Sequence, residues 1–474
     1  MKIRNLLKMA GILLIFSGII SCKRIEKDVI TWIVPDVINA TEIRRNIELV
    51  NRELEEDGYT FSLEVKILSR NSYREDIIPY LTEGKADIVS LGMDYVDGSA
   101  GYAEDLIREG YFEELSAYLF SNEGEKLKKE YCDVEWKIVE TDGGIYSVPN
   151  QTGMKRGSSV VFNKKYVPEN ILEGYTGTVE ELESVLDSLE LPQDIYPIVG
   201  QFTISDLAAM CGTYVDFGVL VDLNTGEVEN PFQNDKFCQC LKTLHDFYEK
   251  GYMGMPLDYA MENEVLKKGN YAIWICNGYE EFTDEIKNKV YIEPLNFAIQ
   301  SSLSLSTGIS KNSENRDKAL QTLTLIYTEE KYTNLLLYGE EGIDYQMLDG
   351  YVYDMRQQEM DAFRRSLMFG VYDHAYPCRA DDLTTNRNEK KQEMYTSEYL
   401  LDSKVLGFQV DPTDFDESML NIDKITTAYS KIWQEKDFDA ALQEAILVFE
   451  NAGGNKVTEE LNRQIADWMQ KTKR

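Results

Sequence analysis

Between Ile30 and Leu91 the apolar side chains switch between two spacings, and that alternation limits the folds open to this chain more than any other feature. Ile30-Thr31-Trp32-Ile33-Val34 is a short apolar run stopped by Pro35, which reads as a strand. Ile43, Ile47, Val50 and Leu54 then recur every three or four residues up to Asp57-Gly58, predicting a helix with one buried face. Phe61 to Leu68 alternates as a second strand. Ser72-Tyr73-Arg74-Glu75 has the arrangement of a capping box and opens a short helix, kinked or cut short by Pro79. Ala86 to Leu91 is a third strand. Strand, helix, strand, helix, strand is an α/β unit with a mainly parallel sheet, because parallel neighbours need a crossover between them.

The pattern then repeats. Gly143 to Pro149 and Ser158 to Asn163 are expected as a strand pair flanking the loop Asn150-Gln151-Thr152-Gly153. Thr178-Val179-Glu180-Glu181 is a second capping box, and Val179, Leu182, Val185, Leu186 and Leu189 line one face of the helix after it. Ile195 to Val199 and the buried run Tyr271 to Ile275 are strands; Phe237, Leu241, Leu244 and Tyr248 mark a helix between them. From Leu303 a further strand leads into helices striped by Ala319, Leu320, Leu323, Ile326 and Tyr327, then by Tyr332, Leu335 and Leu336. The end of the chain is helical, with stripes through Ile422 to Trp433, Phe438 to Phe449 and Leu461 to Met469. A chain of 474 residues, 43% of them hydrophobic, has room for two or more such cores.

The first residues are of another kind. Lys2, Arg4 and Lys8 stand among no acids, Met9 to Ile20 is almost wholly apolar, and Ile19-Ile20-Ser21-Cys22 closes the run. A basic segment, a short apolar segment and small residues at the cut make a secretory leader. Its apolar part is shorter than the roughly 20 residues of a spanning helix. Cysteine after a small residue also resembles a bacterial lipobox, which implies cleavage before Cys22 and a diacylglycerol on its thiol. An uncleaved anchor and plain secretion are the other readings of such a leader. The formal net charge is −34. Without the leader's three cations it is about −37, a balance that excludes nucleic acid and disfavours an anionic lipid surface, both of which require clustered Lys and Arg.

Chemistry-bearing motifs are few. Apart from Cys22, the cysteines are Cys132, Cys211, Cys238, Cys240, Cys276 and Cys378, with no spacing of a disulfide framework. They are expected as free thiols, and Cys238 and Cys240, two apart on a helix, point to different faces. Only His245 and His374 exist. His245 falls on a helix; His374, in Tyr372-Asp373-His374-Ala375-Tyr376, has one acid beside it and no evident nucleophile. Cys238-x-Cys240 lacks the second pair a zinc site needs, and no zinc-protease, nucleophile-elbow or phosphate-loop motif occurs. No metal, no cofactor and no catalytic residue is expected.

The order of these elements resembles a family. A lipobox, one α/β half, a crossing at Tyr146 to Asn163, a second α/β half and a return near Leu303 is similar to the family-1 extracellular solute-binding proteins of ABC importers. Gly84-Lys85-Ala86-Asp87-Ile88-Val89, Glu109-Gly110-Tyr111-Phe112-Glu113-Glu114-Leu115, Gly144-Ile145-Tyr146-Ser147-Val148-Pro149 and Lys268-Gly269-Asn270-Tyr271-Ala272-Ile273-Trp274 resemble segments of that family. Ile309 to Leu320, Tyr338 to Tyr345 and Leu406 to Thr413 resemble a Gram-positive subgroup with an additional C-terminal domain. Asn315 departs from the pattern, standing where proline is common.

The resemblance implies an α/β protein with a two-lobed periplasmic-binding-protein-like fold of the class II type and a helical C-terminal extension. Its expected divisions are a lipoprotein signal peptide at 1–21, a first lobe from 22–160 and 303–345, a second lobe from 161–302, and a mostly helical extension at 346–474 packing on the lobes. It implies a monomer held to the outer face of the cytoplasmic membrane by lipid on Cys22. Such a protein captures a solute, an oligosaccharide by family precedent, between the lobes and delivers it to importer permeases. A surface lipoprotein that senses or adheres to glycans is the alternative, and a glycan-active enzyme a weaker one. Sugars need aromatic faces and bidentate amides or carboxylates. Those types stand at the expected strand ends: Trp32 and Asp36; Asp94 and Tyr95; Asn150, Gln151 and Thr152; Trp274, Asn277 and Tyr279. Trp274 and Trp32 read equally as core, and Asp94 as a helix cap.

Overall fold

A computed structural model describes residues 28–36, 40–91, 102–151, 157–254, 257, 259–277, 284–299, 306–354, 359–376, 397–411 and 432–472. Nine strands build the two principal sheets: β1 (Asp28–Pro35), β2 (Phe61–Leu68), β3 (Ile88–Leu91), β4 (Ser147–Pro149), β5 (Ser158–Asn163), β6 (Tyr196–Val199), β7 (Tyr271–Asn277), β8 (Val290–Pro294) and β9 (Ser306–Ile309). The helices that matter below are α1 (Ala40–Glu56), α2 (Tyr73–Thr82), α3 (Val179–Asp187), α4 (Asp235–Glu249), α5 (Arg316–Thr328), α6 (Glu330–Leu337), α7 (Glu359–Phe369), α8 (Phe438–Asn451) and α9 (Gly454–Thr472).

The first sheet runs β2-β1-β3-β9-β4 and the second β8-β5-β7-β6. β1 lies parallel to β2 and β3, joined by α1 and α2 as the sequence order requires, whereas β9 is antiparallel to both β3 and β4. β3 is buried at all four positions, as a central parallel strand covered on both faces must be. Two separate apolar cores follow. One surrounds Trp32, Ile77, Val89, Leu106, Ile309 and Leu323; the other surrounds Phe162, Leu182, Leu241, Ile273 and Phe449. β4 and β5 flank one loop but are not partners, since each enters a different sheet; residues 150–157 are therefore the passage from one lobe to the other. The chain after β8 leads back from the second sheet to the first at β9.

The chain beyond Ile343 is shared between the lobes. A hairpin of Tyr345–Leu348 and Tyr351–Asp354 precedes α7, which packs on β1 and α6. Met368, Phe369 and Val371 are buried in the first core. Val405, Phe408, α8 and α9 join the second core, where Asn462 holds the backbone of Val228 from both sides. Between these, residues 399–411 touch both lobes. The Arg108 guanidinium donates to the carbonyls of Gln409 and Val410, Gln409 Nε2 donates to Ile138, and the N–H of Lys404 donates to Leu223 across in the second lobe. Phe297, in the return passage, exchanges backbone bonds with Tyr399 and Leu401.

Local expectations fared unevenly. Pro79 sits inside α2 without ending it. The capping box expected at Ser72 does not form: its hydroxyl donates to Asp76 Oδ2 instead, at 2.7 Å. At Thr178 half of the box forms, because the Glu181 carboxylate turns to the N–H and hydroxyl of Thr176. Phe217 takes φ 44° at the turn between the short antiparallel strands Thr213–Asp216 and Val219–Asp222. The helix expected from Ile422 to Trp433 falls mostly outside the described residues. Among the described residues no helix is long and apolar enough to cross a membrane.

Candidate functional site

Strand direction decides which side chains can meet. β1 and β3 are parallel, β9 starts opposite the end of β3 (Ser306 opposite Leu91), and β4 ends opposite that same start (Pro149 opposite Ser306). The ends of β1, β3 and β4 therefore lie along one edge of the first sheet, with Asp36, Leu91 and Asn150-Gln151 at it. In the second sheet the start of β5 faces the end of β7 (Ser158 opposite Asn277), and β8 ends at the same level (Pro294 opposite Ser159). Both passages between lobes join these two edges. The shorter, eight residues from Asn150 to Gly157, spans at most about 30 Å when extended. Joined by these passages, the two edges are the candidate walls of an inter-lobe site, the position in which open α/β sheets bind ligands.

Asp36 is exposed at its edge, its N–H donated to Leu68. Trp274 is half-buried on β7. Its neighbours Ile273 and Ile275 enter the main core, while Trp274 lies on the opposite face with Val161, Cys276, Val290 and Ile292, and its Nε1 donates to Glu262 at 3.3 Å. Asn277 ends β7, its backbone paired with Ser158. Asp94, Tyr95, Thr152, Tyr279 and the lipidation candidate Cys22 lie outside the described residues.

Three expected ligand residues have other work in this structure. Trp32 has no exposed surface; its indole N–H donates to Ser90 at 3.1 Å, and Phe369 stands edge-on to the ring at 5.1 Å. A sugar cannot stack on Trp32 while α7 covers it. Asn150 Oδ1 accepts from the hydroxyls of Thr307 and Tyr327. Gln151 is buried and bonded at both ends of its amide: Nε2 donates to the Tyr327 carbonyl at 3.1 Å, and Oε1 accepts the N–H groups of Tyr372 and Asp373 at 2.7 and 3.0 Å. Its own N–H donates to Gly370. These amides hold the segment 370–373 against the cleft edge. Their polar types were legible in sequence, but their partners come from residues more than 150 positions away.

Sequence reasoning overlooked this segment as part of the site. Tyr372, Asp373 and His374 are half-buried beside Gln151, and Asn334 fixes the turn by bonding the carbonyl of His374 and the N–H of Tyr376. The one available signal was the aromatic and acidic run Tyr372-Asp373-His374-Ala375-Tyr376. His374 Nε2 lies 2.8 Å from Glu130 Oε2. That hydrogen bond raises the imidazole pKa above its usual 6.5, against burial, which lowers it; the charges of Glu130, Asp373 and Glu330 add to the rise. A raised folded pKa contributes stability in full below about 6.5 and loses it as pH rises through the folded value. Wild-type stability relative to Glu130→Gln is therefore expected to fall between mildly acidic and mildly alkaline pH in denaturant titrations; a pH-independent difference would count against the pair.

No group of three or more His, Cys, Asp or Glu suited to a metal occurs among the described residues. Of the expected ligand residues within the described residues, Asp36 is exposed and Trp274 half-buried, while Trp32, Asn150 and Gln151 are buried.

Comparison with known proteins agrees with this geometry. No family model matches the chain. In sequence it is similar to a carbohydrate ABC transporter substrate-binding protein of Streptococcus pneumoniae serotype 4, 24% identical over 380 residues, covering 75% of this chain and 73% of that protein. In structure it is similar to the N-glycan transport solute binding protein NgtS of Streptococcus pneumoniae, with TM-score 0.61 at 20% identity over 94% of this chain and 99% of that one. It is also similar to the pneumococcal ABC-transporter substrate binding protein FusA in complex with kestose, with TM-score 0.55 at 11% identity over 93% and 99% of the two chains. The fold is that of the two-lobed solute-binding proteins. Both the sequence likeness and the fold likeness are to substrate-binding proteins of ABC transporters.

Proposed function

We propose that this protein is a lipid-anchored extracellular solute-binding protein that takes an oligosaccharide between its lobes and presents it to the permeases of an ABC importer. The observation that carries the reading is the convergence of strand ends from both lobes on two facing edges, joined by passages short enough to act as hinges. A ligand touching both edges favours the closed form by the difference of its affinity for the closed and open states. The lipobox-like Ile19-Ile20-Ser21-Cys22 supports tethering, since the two acyl chains of a diacylglycerol suffice for stable anchoring. Captured solute would then be released beside the permeases by a single tethered chain. The neighbouring structure of NgtS in complex with Man1GlcNAc, TM-score 0.53, supports putting N-glycan fragments first among candidate ligands.

The test is a thermal-shift screen of the chain from Lys23 onward against mono- and oligosaccharides, including mannose–N-acetylglucosamine fragments, with peptides and polyols for contrast. A solute that binds only the folded protein raises its stability by about 2.7 kcal/mol at 100 times its Kd. The expected result is a shift with one class of oligosaccharide. A shift with peptides alone would overturn the sugar assignment, and a folded protein unmoved by the whole panel would overturn the solute-binding reading.

A further inference from the structure

One peptide group is gripped from both lobes. The carbonyl of Val410 accepts from Arg108 Nη1 at 3.1 Å, and the N–H of the same peptide, that of Asp411, donates to Gln464 Oε1 at 2.8 Å. Arg108 ends the helix Tyr102–Arg108, whose Ala103 and Leu106 enter the first core. Gln464 stands on α9, whose Leu461 and Ile465 enter the second. A peptide unit is planar, and in the trans form its C=O and N–H point in opposite directions. Arg108 and Gln464 therefore hold opposite edges of one rigid plate.

Each grip is doubled. Arg108 Nη2 donates to the carbonyl of Gln409 at 3.1 Å, so the planar fork of the guanidinium meets two successive carbonyls, which a lysine ammonium does not do. Gln464 Nε2 donates to the carbonyl of Asp411 at 2.9 Å. Gln409 adds a bond to the first lobe, its Nε2 donating to Ile138 at 2.9 Å. Gln409 and Gln464 are buried, and the Arg108 side chain is 22% exposed, with the carboxylates of Asp142 and Asp411 each 3.9 Å from it.

We propose that the Val410–Asp411 peptide is the pivot about which the two lobes turn, with Arg108 and Gln464 as its positioning residues. The use of such a pivot in solute capture rests on the binding-protein reading above; the tie itself does not. Reach singles it out among the links between lobes. The passage from Asn150 to Gly157 extends to at most about 30 Å, and the return from Pro294 to Ser306 further still. At 410–411 the separation of the two grips is set by a single peptide plane. The lobes cannot draw apart there without breaking the bonds of one grip. They can still rotate, because a carbonyl oxygen accepts hydrogen bonds over a broad range of directions. Opening and closing is then a hinge motion with a fixed centre.

The experiment uses the chain from Lys23 onward, which carries every described element, with no solute added. Small-angle scattering gives the radius of gyration, about 22 Å for a compact chain of this length. Calorimetry gives the number of unfolding transitions. The wild type is expected to unfold in one transition. Arg108→Met keeps the apolar stem and removes the donors. It is expected to raise the radius by roughly 1 Å, through a wider spread of lobe orientations, and to split unfolding into two transitions, because each lobe has its own core. Gln464→Met is expected to do the same from the other side. The double variant should raise the radius no further than either single one, since releasing one grip already frees the plate. A single transition that merely moves to lower temperature at unchanged radius would make the contacts structural only and overturn the proposal. Increases in radius that add in the double variant would overturn it as well. No solute enters these measurements, so a failed sugar screen and a failed pivot remain separate results.

Discussion

Gln151→Ala is expected to cost about 3–5 kcal/mol of folding stability, because the buried Tyr327 carbonyl and the half-buried N–H groups of Tyr372 and Asp373 lose their partner together. The Gln151 amide receives the N–H groups of Tyr372 and Asp373 and supplies a donor to the Tyr327 carbonyl, and only 3% of the residue is exposed. Water cannot replace it without opening the segment 370–373. The backbone there has little freedom to adapt: Gly370 has φ +69°, and a Cβ on it would lie 2.0 Å from Asn150 Oδ1. Gln151→Met separates the causes, since it fills the volume and makes none of the bonds; it is expected to match the alanine variant within about 1 kcal/mol. The measurement is the midpoint of urea denaturation at unchanged slope. A midpoint that does not move, together with weakened solute binding, would make Gln151 a ligand contact and refute its role as a clamp.

Phe369→Ala is expected to have an effect of similar size by another mechanism, about 3–5 kcal/mol from lost burial and the cavity left behind. Phe369 has no exposed surface and its edge lies against Trp32. The hydrogen bonds of this corner, from Tyr327 to the Phe369 carbonyl and from Ser90 to Met368, belong to the backbone and survive the substitution. The loss is therefore one of packing, and Phe369→Leu should recover most of it. Denaturation gives the stability, and Trp32 fluorescence, in a background with the other tryptophans replaced, gives the packing. Unchanged stability in Phe369→Ala would mean that α7 is not held on the first lobe as described.

Much of the fold was legible because it follows from local chemistry. The order of β1, α1, β2, α2 and β3 was written in apolar spacing, and each stripe read along α1, α4 and α5 faces a core. The cap of α3 at Thr178 was legible as well, being a matter of four consecutive residues. The site was legible only as positions. Asp36, Asn150, Gln151 and Asn277 stand at strand ends, Trp274 lies three residues inside β7, and Trp32, Asn150 and Gln151 spend their polar groups on the protein itself. Trp32 is covered by Phe369 at the end of α7, Asn150 is bonded by Thr307 and Tyr327, and Gln151 by the segment after α7, and no periodicity near Trp32 or Gln151 announces these partners.

The sequence by itself determined the α/β class of fold and the separate cores. These depend on burial patterns and short motifs within a few turns of chain. Only the tertiary structure decided that β4 and β5 part into different sheets, that the C-terminal segment divides between the lobes and that Gln151 clamps the loop at Tyr372. Each of those is a choice of partner between residues far apart in sequence. Such choices depend on which of many compatible donors, acceptors and apolar faces the whole chain brings within reach, and local spacing carries no record of them.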